Sequence, residues 1–247
     1  MKIQKLIIYI FLLLSVPLFS QQKIYSGKIN YEITMKFDQE KLKALYKKNK
    51  ASGQVIKMLN ATAKDPGKAN FTLLFNTNAS TFKEDKYLKT NDKKFNLVKI
   101  LSGGGSYYTN KTTKKILNQS ESFGEVFLIE LPPIKWILTQ ERKKIGKYTC
   151  YKATTTKLVE NRKGITTNNI IAWYAPKINV NYGPQEYGGL PGLILELRQG
   201  NLQCLATGIA LNLKENVVCK QPTRGKKVTL EEHKKIMKDL DSKFRRN

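Results

Sequence analysis

Residues 29–37 read Ile29-Asn30-Tyr31-Glu32-Ile33-Thr34-Met35-Lys36-Phe37, apolar and polar in strict alternation. Side chains point to opposite faces at successive residues of a strand, so this period of two describes a strand with one face in a core and one in water. Outward from it the period changes. Leu42, Leu45 and Tyr46, then Val55, Ile56 and Leu59, recur at steps of three and four, interrupted by Gly53. That spacing predicts two short amphipathic helices within 39–63, ending before Asp65-Pro66-Gly67. Alternation returns at Phe71, Leu73 and Phe75, and residues 76–78 read as a turn.

The signal weakens over 83–105, where lysines, Asn91-Asp92 and Gly103-Gly104-Gly105 predict a long exposed loop with a short apolar insert at 95–101. Strand patterns then follow at 106–110, 114–118, 125–130, 134–139, 148–157, 169–175, 193–198 and 202–211. Short, regularly spaced segments of this kind predict one antiparallel sheet rather than βαβ units. The C-terminus predicts a helix over 229–244: Thr229 and Glu232 have capping-box spacing, and Ile236, Met237, Leu240 and Phe244 form one stripe. His233 lies at the edge of that stripe and reads as a boundary residue. The expected fold is mainly β: a single curved antiparallel sheet or half-open barrel, with short helices over one face and a C-terminal helix.

Residues 1–20 read as a secretory signal peptide, with Lys2 and Lys5 ahead of an apolar run from Leu6 to Leu18 and Ser20 before the cut. The run is too short for a membrane span of roughly 20 residues. No cysteine adjoins the cut, so a lipoprotein is not expected. Residues 21–247 form one domain in this reading, exported to the periplasm or beyond. In that compartment Cys150, Cys204 and Cys219 permit one disulfide of undetermined pairing, or serve as small core residues.

With 44 Lys+Arg against 19 Asp+Glu the chain carries a net charge of +25. The lysines are scattered and accompany no nucleic-acid module, so an anionic envelope surface is the expected polyanion and nucleic acid is not. One His and three Cys exclude most zinc architectures, and no cofactor motif occurs. Gly104-Gly105-Ser106-Tyr107-Tyr108 lacks the last glycine of a nucleophile elbow. Glu130, Glu141 and Glu196 are the acids available to a hydrolase, and no motif gathers them. An enzyme is not expected.

The most distinctive stretch runs Trp173-Tyr174-Ala175-Pro176-Lys177-Ile178-Asn179-Val180-Asn181-Tyr182-Gly183-Pro184-Gln185-Glu186-Tyr187-Gly188-Gly189-Leu190-Pro191-Gly192-Leu193-Ile194. Its glycines allow positive φ or close backbone approach, and Pro191 removes a donor at a strand entry. Two outcomes fit: a clamp that seats the loop on the core, or the mouth of an apolar groove walled by Trp173, Tyr174, Tyr182 and Tyr187. Residues 189–194, Gly-Leu-Pro-Gly-Leu-Ile, resemble the hexapeptide that names the GLPGLI family, exported Gram-negative bacterial proteins of unknown function. Residues 144–153, Lys-Ile-Gly-Lys-Tyr-Thr-Cys-Tyr-Lys-Ala, with Trp136 before them, are similar to that family's second motif. The resemblance spans 134–210 and implies no reaction.

The functional expectation is a non-enzymatic envelope protein holding an apolar small molecule, a lipid or a partner segment, with 39–63 and 229–244 as its cover. The alternative is an accessory that meets an outer-membrane receptor or transport system through an exposed strand edge. A hydrolase with dispersed acids ranks third.

Overall fold

The structure, a computed structural model, describes residues 23–37, 40, 44, 53–85, 96–161 and 164–244. The expectations for 1–20 and for Leu42, Leu45 and Tyr46 lie outside them. In chain order the elements are β1 (Gly27–Met35), α1 (Gly53–Lys64), β2 (Ala69–Phe75), β3 (Ala79–Glu84), α2 (Leu97–Leu101), β4 (Ser106–Asn110), β5 (Ile116–Ser122) and β6 (Glu125–Leu131). There follow β7 (Ile137–Ile145), β8 (Tyr148–Asn161), β9 (Gly164–Ala175), β10 (Leu193–Gln199), β11 (Leu202–Leu211), β12 (Lys226–Thr229) and α3 (Leu230–Phe244).

All twelve described strands form one sheet, ordered β12-β6-β5-β4-β3-β2-β1-β11-β10-β9-β8-β7. Every pairing is antiparallel except β12 with β6, which is parallel, so the sheet is mixed rather than purely antiparallel. Its curvature follows from connectivity. β6 and β7 stand ten places apart in the order, which in a flat sheet is about 48 Å at ~4.8 Å per strand. Residues 132–136 alone connect them, and six Cα steps reach at most about 21 Å. The sheet therefore bends until its ends approach, leaving an open seam between β7 and β12.

The inner face carries the main core: Ile29, Tyr31 and Ile33 of β1, Phe71, Leu73 and Phe75 of β2, and Phe82 of β3. The alternation that starts at Ile29 thus became a strand with its apolar set inside, ending at Met35 rather than Phe37. The loop 176–192 lies in the same core, with Ile178, Val180, Tyr182, Tyr187 and Leu190 all buried. It acts as a plug. Tyr31 donates its hydroxyl to the Ile194 carbonyl at 2.6 Å, and the Tyr182 ring lies 5.5 Å from that of Phe75. Helix α3 covers the β6 and β12 end, where Ile236 and Met237 pack on Phe127, Ile129 and Val228. Its capping box forms: Glu232 accepts from the Thr229 amide at 2.7 Å, and Thr229 Oγ1 accepts from the Glu232 amide at 3.2 Å.

Between β11 and β12 the chain crosses the outer face as a strap, residues 212–225. Asn76 Nδ2 donates to the Val217 carbonyl at 2.9 Å, and Cys219 packs on a small second core of Ala79, Tyr108, Leu117 and Leu128. The expected apolar insert is helix α2, capped by the Asn96 side chain and anchored by the fully buried Val98. The strand expected at 134–139 begins at Ile137, because 132–136 is the linker. All three cysteines are free thiols, Cys150 and Cys204 buried and Cys219 half-buried.

Candidate functional site

The motif at 183–194 builds the plug. Gly192 has a φ of +155°, and a Cβ there would overlap the Ala175 carbonyl oxygen and come within 2.6 Å of its carbon. At Gly183 a Cβ would overlap the Tyr187 carbonyl oxygen. Only glycine lets the loop fold this tightly against its neighbours. The resulting ladder runs Gly189 N to Asn181 O at 2.9 Å, Leu193 N to Ile178 O at 3.1 Å and Ile194 N to Tyr182 O at 3.1 Å. Gln185 ties the loop outward, donating Nε2 to the Ser102 carbonyl at 2.7 Å.

Beside the plug, under the seam, lies an open cleft of about 840 Å³. One wall is the linker with Pro132, Pro133, Ile134 and Trp136; a second is β8 and β9 around Thr154–Leu158 and Asn169–Ile171; the first turn of α3 closes a third. Trp136 joins the linker to the plug, donating Nε1 to the Gly188 carbonyl at 2.8 Å, with its ring 6.1 Å from that of Tyr187. Lys157 of β8 pairs with the nearly buried Glu186 of the plug at 2.8 Å.

Strand pairing stops at the cleft. β7 pairs with β8 only from Ile137 opposite Thr154 onward toward Tyr148, and β9 pairs with β10 only from Ile170 to Ala175. Residues 155–161 and 164–169 therefore form a two-stranded arm whose outer edges meet no other described strand. Leu158 and Ile165 of this arm are 65% and 71% exposed. A row of unpaired backbone groups next to an apolar recess is a template for another extended chain. The rest of edge strand β7 is defended differently, by Glu141, Arg142, Lys143 and Lys144 and by a register shift between Leu138 and Arg142.

Of the four aromatics expected to wall a groove, Tyr187 alone lines this cleft. Tyr182 is buried and donates to the Asn76 carbonyl at 3.3 Å. Tyr174 sits in the core beside Tyr151, 6.2 Å between rings. Trp173, on the outer face, carries Lys143 Nζ 4.3 Å above its ring. Burial, and then the Glu186 charge, raise the Tyr187 phenol well above its usual range, so it stays a neutral donor. Burial also pushes the Cys150 thiol up to about 11, where it is not a nucleophile at neutral pH.

The three acids are dispersed in ion pairs. Glu130 meets Lys115 at 3.4 Å and Glu141 meets Lys152 at 2.7 Å. Glu196, almost wholly buried on the outer face, meets both Lys143 and Arg198 at 2.6 Å. Among the described residues no three His, Cys, Asp or Glu side chains gather as metal ligands, and no helix is long and apolar enough to cross a membrane. What sequence reasoning missed is the linker and the arm. Pro132-Pro133 before Ile134 and Trp136 was the available signal, a donorless apolar segment unsuited to a strand interior.

The stretch from Trp136 through β7, β8, β9 and the plug can be compared with known proteins. It matches a family of unknown function. The family model is described as a protein of unknown function (Porph_ging) and matches residues 136–169 and 160–196, which contain one side of the cleft and the whole plug. No curated protein matches the chain. Two solved structures of PNGF-II, in space groups C2 and P21, resemble it with TM-scores of 0.48 and 0.49 at 14% identity. Each likeness covers 85% of this chain and 32% of the other, so the chain spans about a third of those structures' length.

Proposed function

We propose that the protein is a non-enzymatic exported envelope protein of the GLPGLI type that receives an extended apolar segment of a partner polypeptide in the seam cleft. The observation that carries this is the free edge of β8 from Thr155 onward, running beside a recess walled by prolines, Ile134 and Trp136. A segment laid there adds a strand to the arm by main-chain hydrogen bonds while alternate side chains enter the recess. The inner face beneath the sheet centre is filled by the plug, which argues against a lipid carried at the glycine-proline hinge. A two-stranded ribbon is marginal by itself, so a third strand would stabilise the arm on binding.

A second reading is an apolar small molecule in the same cleft, favoured by a volume within the usual range for such ligands. One experiment separates them. A photo-reactive amino acid is placed at Leu158, at Ile137 or at Phe123, an exposed apolar residue in the β5–β6 turn away from the cleft. The host cells are irradiated and the protein is purified. The partner-segment reading expects one discrete adduct polypeptide at 158 and 137 and none at 123, surviving delipidation. Lipid adducts alone at 158 and 137 would favour the small molecule. Equal labelling at all three positions would end both.

A further inference from the structure

The outer face carries a recess of different chemistry, remote from the cleft in the elements that build it. It measures about 260 Å³ and lies between the outer faces of β3, β4 and β5 and strap residues 220–224. Register places Lys83, Ser106 and Gln119 in one row across the three strands, with Thr81 and Tyr108 in the adjoining row. Lys220 and Arg224 come from the strap above them. Three cations line this recess, and no carboxylate does.

Cations elsewhere in the protein are of both kinds, some paired and others, such as Lys28 and Lys144, without a carboxylate partner among the described residues. Lys68, Lys99, Lys115, Lys143, Lys152, Lys157 and Lys234 each hold a glutamate within 3.4 Å. Lys83, Lys220 and Arg224 have no such partner among the described residues. The strap that brings two of the three into place is fixed by the protein itself. Gln119 Nε2 holds the Arg224 carbonyl at 2.7 Å, and Cys219 Sγ contacts the Leu74 carbonyl at 3.5 Å. At Gly105, φ is +99° and a Cβ would overlap the Gln119 carbonyl oxygen; the residue brings the start of β4 against β5 at the recess floor. The framework is held by neutral contacts, and it gathers three cations around one recess without a carboxylate in the lining.

We propose that this recess binds a tetrahedral oxyanion, the phosphate or sulfate group of a larger ligand. A guanidinium offers a fork matched to such oxygens, two ammonium groups supply point charge, and Ser106 lies within the same lining. This site is independent of the partner-segment reading, since no lining residue is shared between the two recesses.

The test is calorimetric titration of the full chain with inorganic phosphate and with sulfate at constant ionic strength, against chloride. Lys83→Gln, Lys220→Gln and Arg224→Gln are compared with Lys28→Gln, an equal charge loss at an exposed residue of β1. Thermal melts of each variant confirm folding. The site expects saturable one-to-one binding, weakened about tenfold by each of the three changes through loss of a charge-assisted contact and unchanged by Lys28→Gln. Co-sedimentation with phosphatidylcholine vesicles, with and without phosphatidylglycerol, then identifies the source. Arg224→Gln abolishing selective sedimentation assigns a lipid headgroup; phosphate binding without sedimentation assigns a soluble ester. Unsaturable binding, or a Lys28→Gln effect equal to the others, would show only diffuse surface charge and overturn the site, as would no heat with either anion at 10 mM on the order of a weak-site screen.

Discussion

Replacing Gly192 with alanine tests the plug most directly. The new methyl would meet three backbone atoms: the Ala175 oxygen, the Ala175 carbon at 2.6 Å and the Pro176 Cα at 2.8 Å. None belongs to a flexible side chain, and Ala175 ends β9 inside the core. Relief therefore requires moving the strand end or the loop. Backbone strain at such a φ costs about 1–3 kcal/mol, and overpacking a filled site adds about 1–3 kcal/mol. The expected loss is about 2–5 kcal/mol, which for a chain of this size lowers Tm by roughly 5–15 °C. Two controls separate the contributions. Gly189→Ala meets no atom within 4 Å but has a φ of +82°, so it should show strain alone, about 1–2 kcal/mol. Gly104→Ala has neither a positive φ nor a neighbour and should leave the melt unchanged. Urea unfolding of the three variants beside the parent supplies the numbers. A Gly192→Ala midpoint equal to that of Gly104→Ala would refute the claim that the loop needs glycine to lie against β9.

Tyr31→Phe removes the hydroxyl that satisfies the buried Ile194 carbonyl and should cost about 1–2 kcal/mol by urea titration; an unchanged midpoint would mean this bond does not anchor the plug. Changing Lys143 and Arg198 together to methionine strands Glu196, which is only 4% exposed, and should destabilise by about 3 kcal/mol or more. Glu196→Gln should cost less, and a reversed order would contradict the account of that cluster. Nε2 of His233 is buried without a partner in the described structure, and its ring stands edge-on to Phe127 at 5.0 Å. Desolvation lowers its pKa below the usual 6.5, so the unfolded chain takes up the proton first. Stability then falls as pH drops from about 6.5 through the lower folded value. His233→Phe should flatten that slope between pH 7.5 and 5, and an unaltered slope would assign it to other groups.

Legibility followed burial. β1, β2 and β11 alternate because one face of each meets the core, and the sequence pattern found them within two residues of their ends. The Thr229–Glu232 cap was legible because its bonds are local. β3 was missed because Ala79, Ser80, Thr81 and Phe82 are all buried, in part by a strap more than 130 residues away in sequence; no alternation survives two-sided cover. β12 offers only Val228 to the inside and depends on β6 for its identity as a strand. The motif loop was recognisable as a tight turn, but its position inside the sheet was not, since Tyr182 and Tyr187 serve a core as readily as a groove. The cleft arises from two elements distant in sequence, the linker and α3, and periodicity carries no information about such meetings.

The order of strands has a consequence for how the molecule comes together. β1 lies mid-sheet, bonded to β2 on one side and to β11 on the other, with Gly27 facing Leu211. Strands β2 to β6 and β7 to β10 thus belong to two blocks, joined through β1 on β11 and, at the far end of the order, by β12 on β6. The first strand made must wait for nearly the last. Long-range ladders of this kind close late and slowly, and until β1 meets β11 each block presents a bare margin to whatever is near.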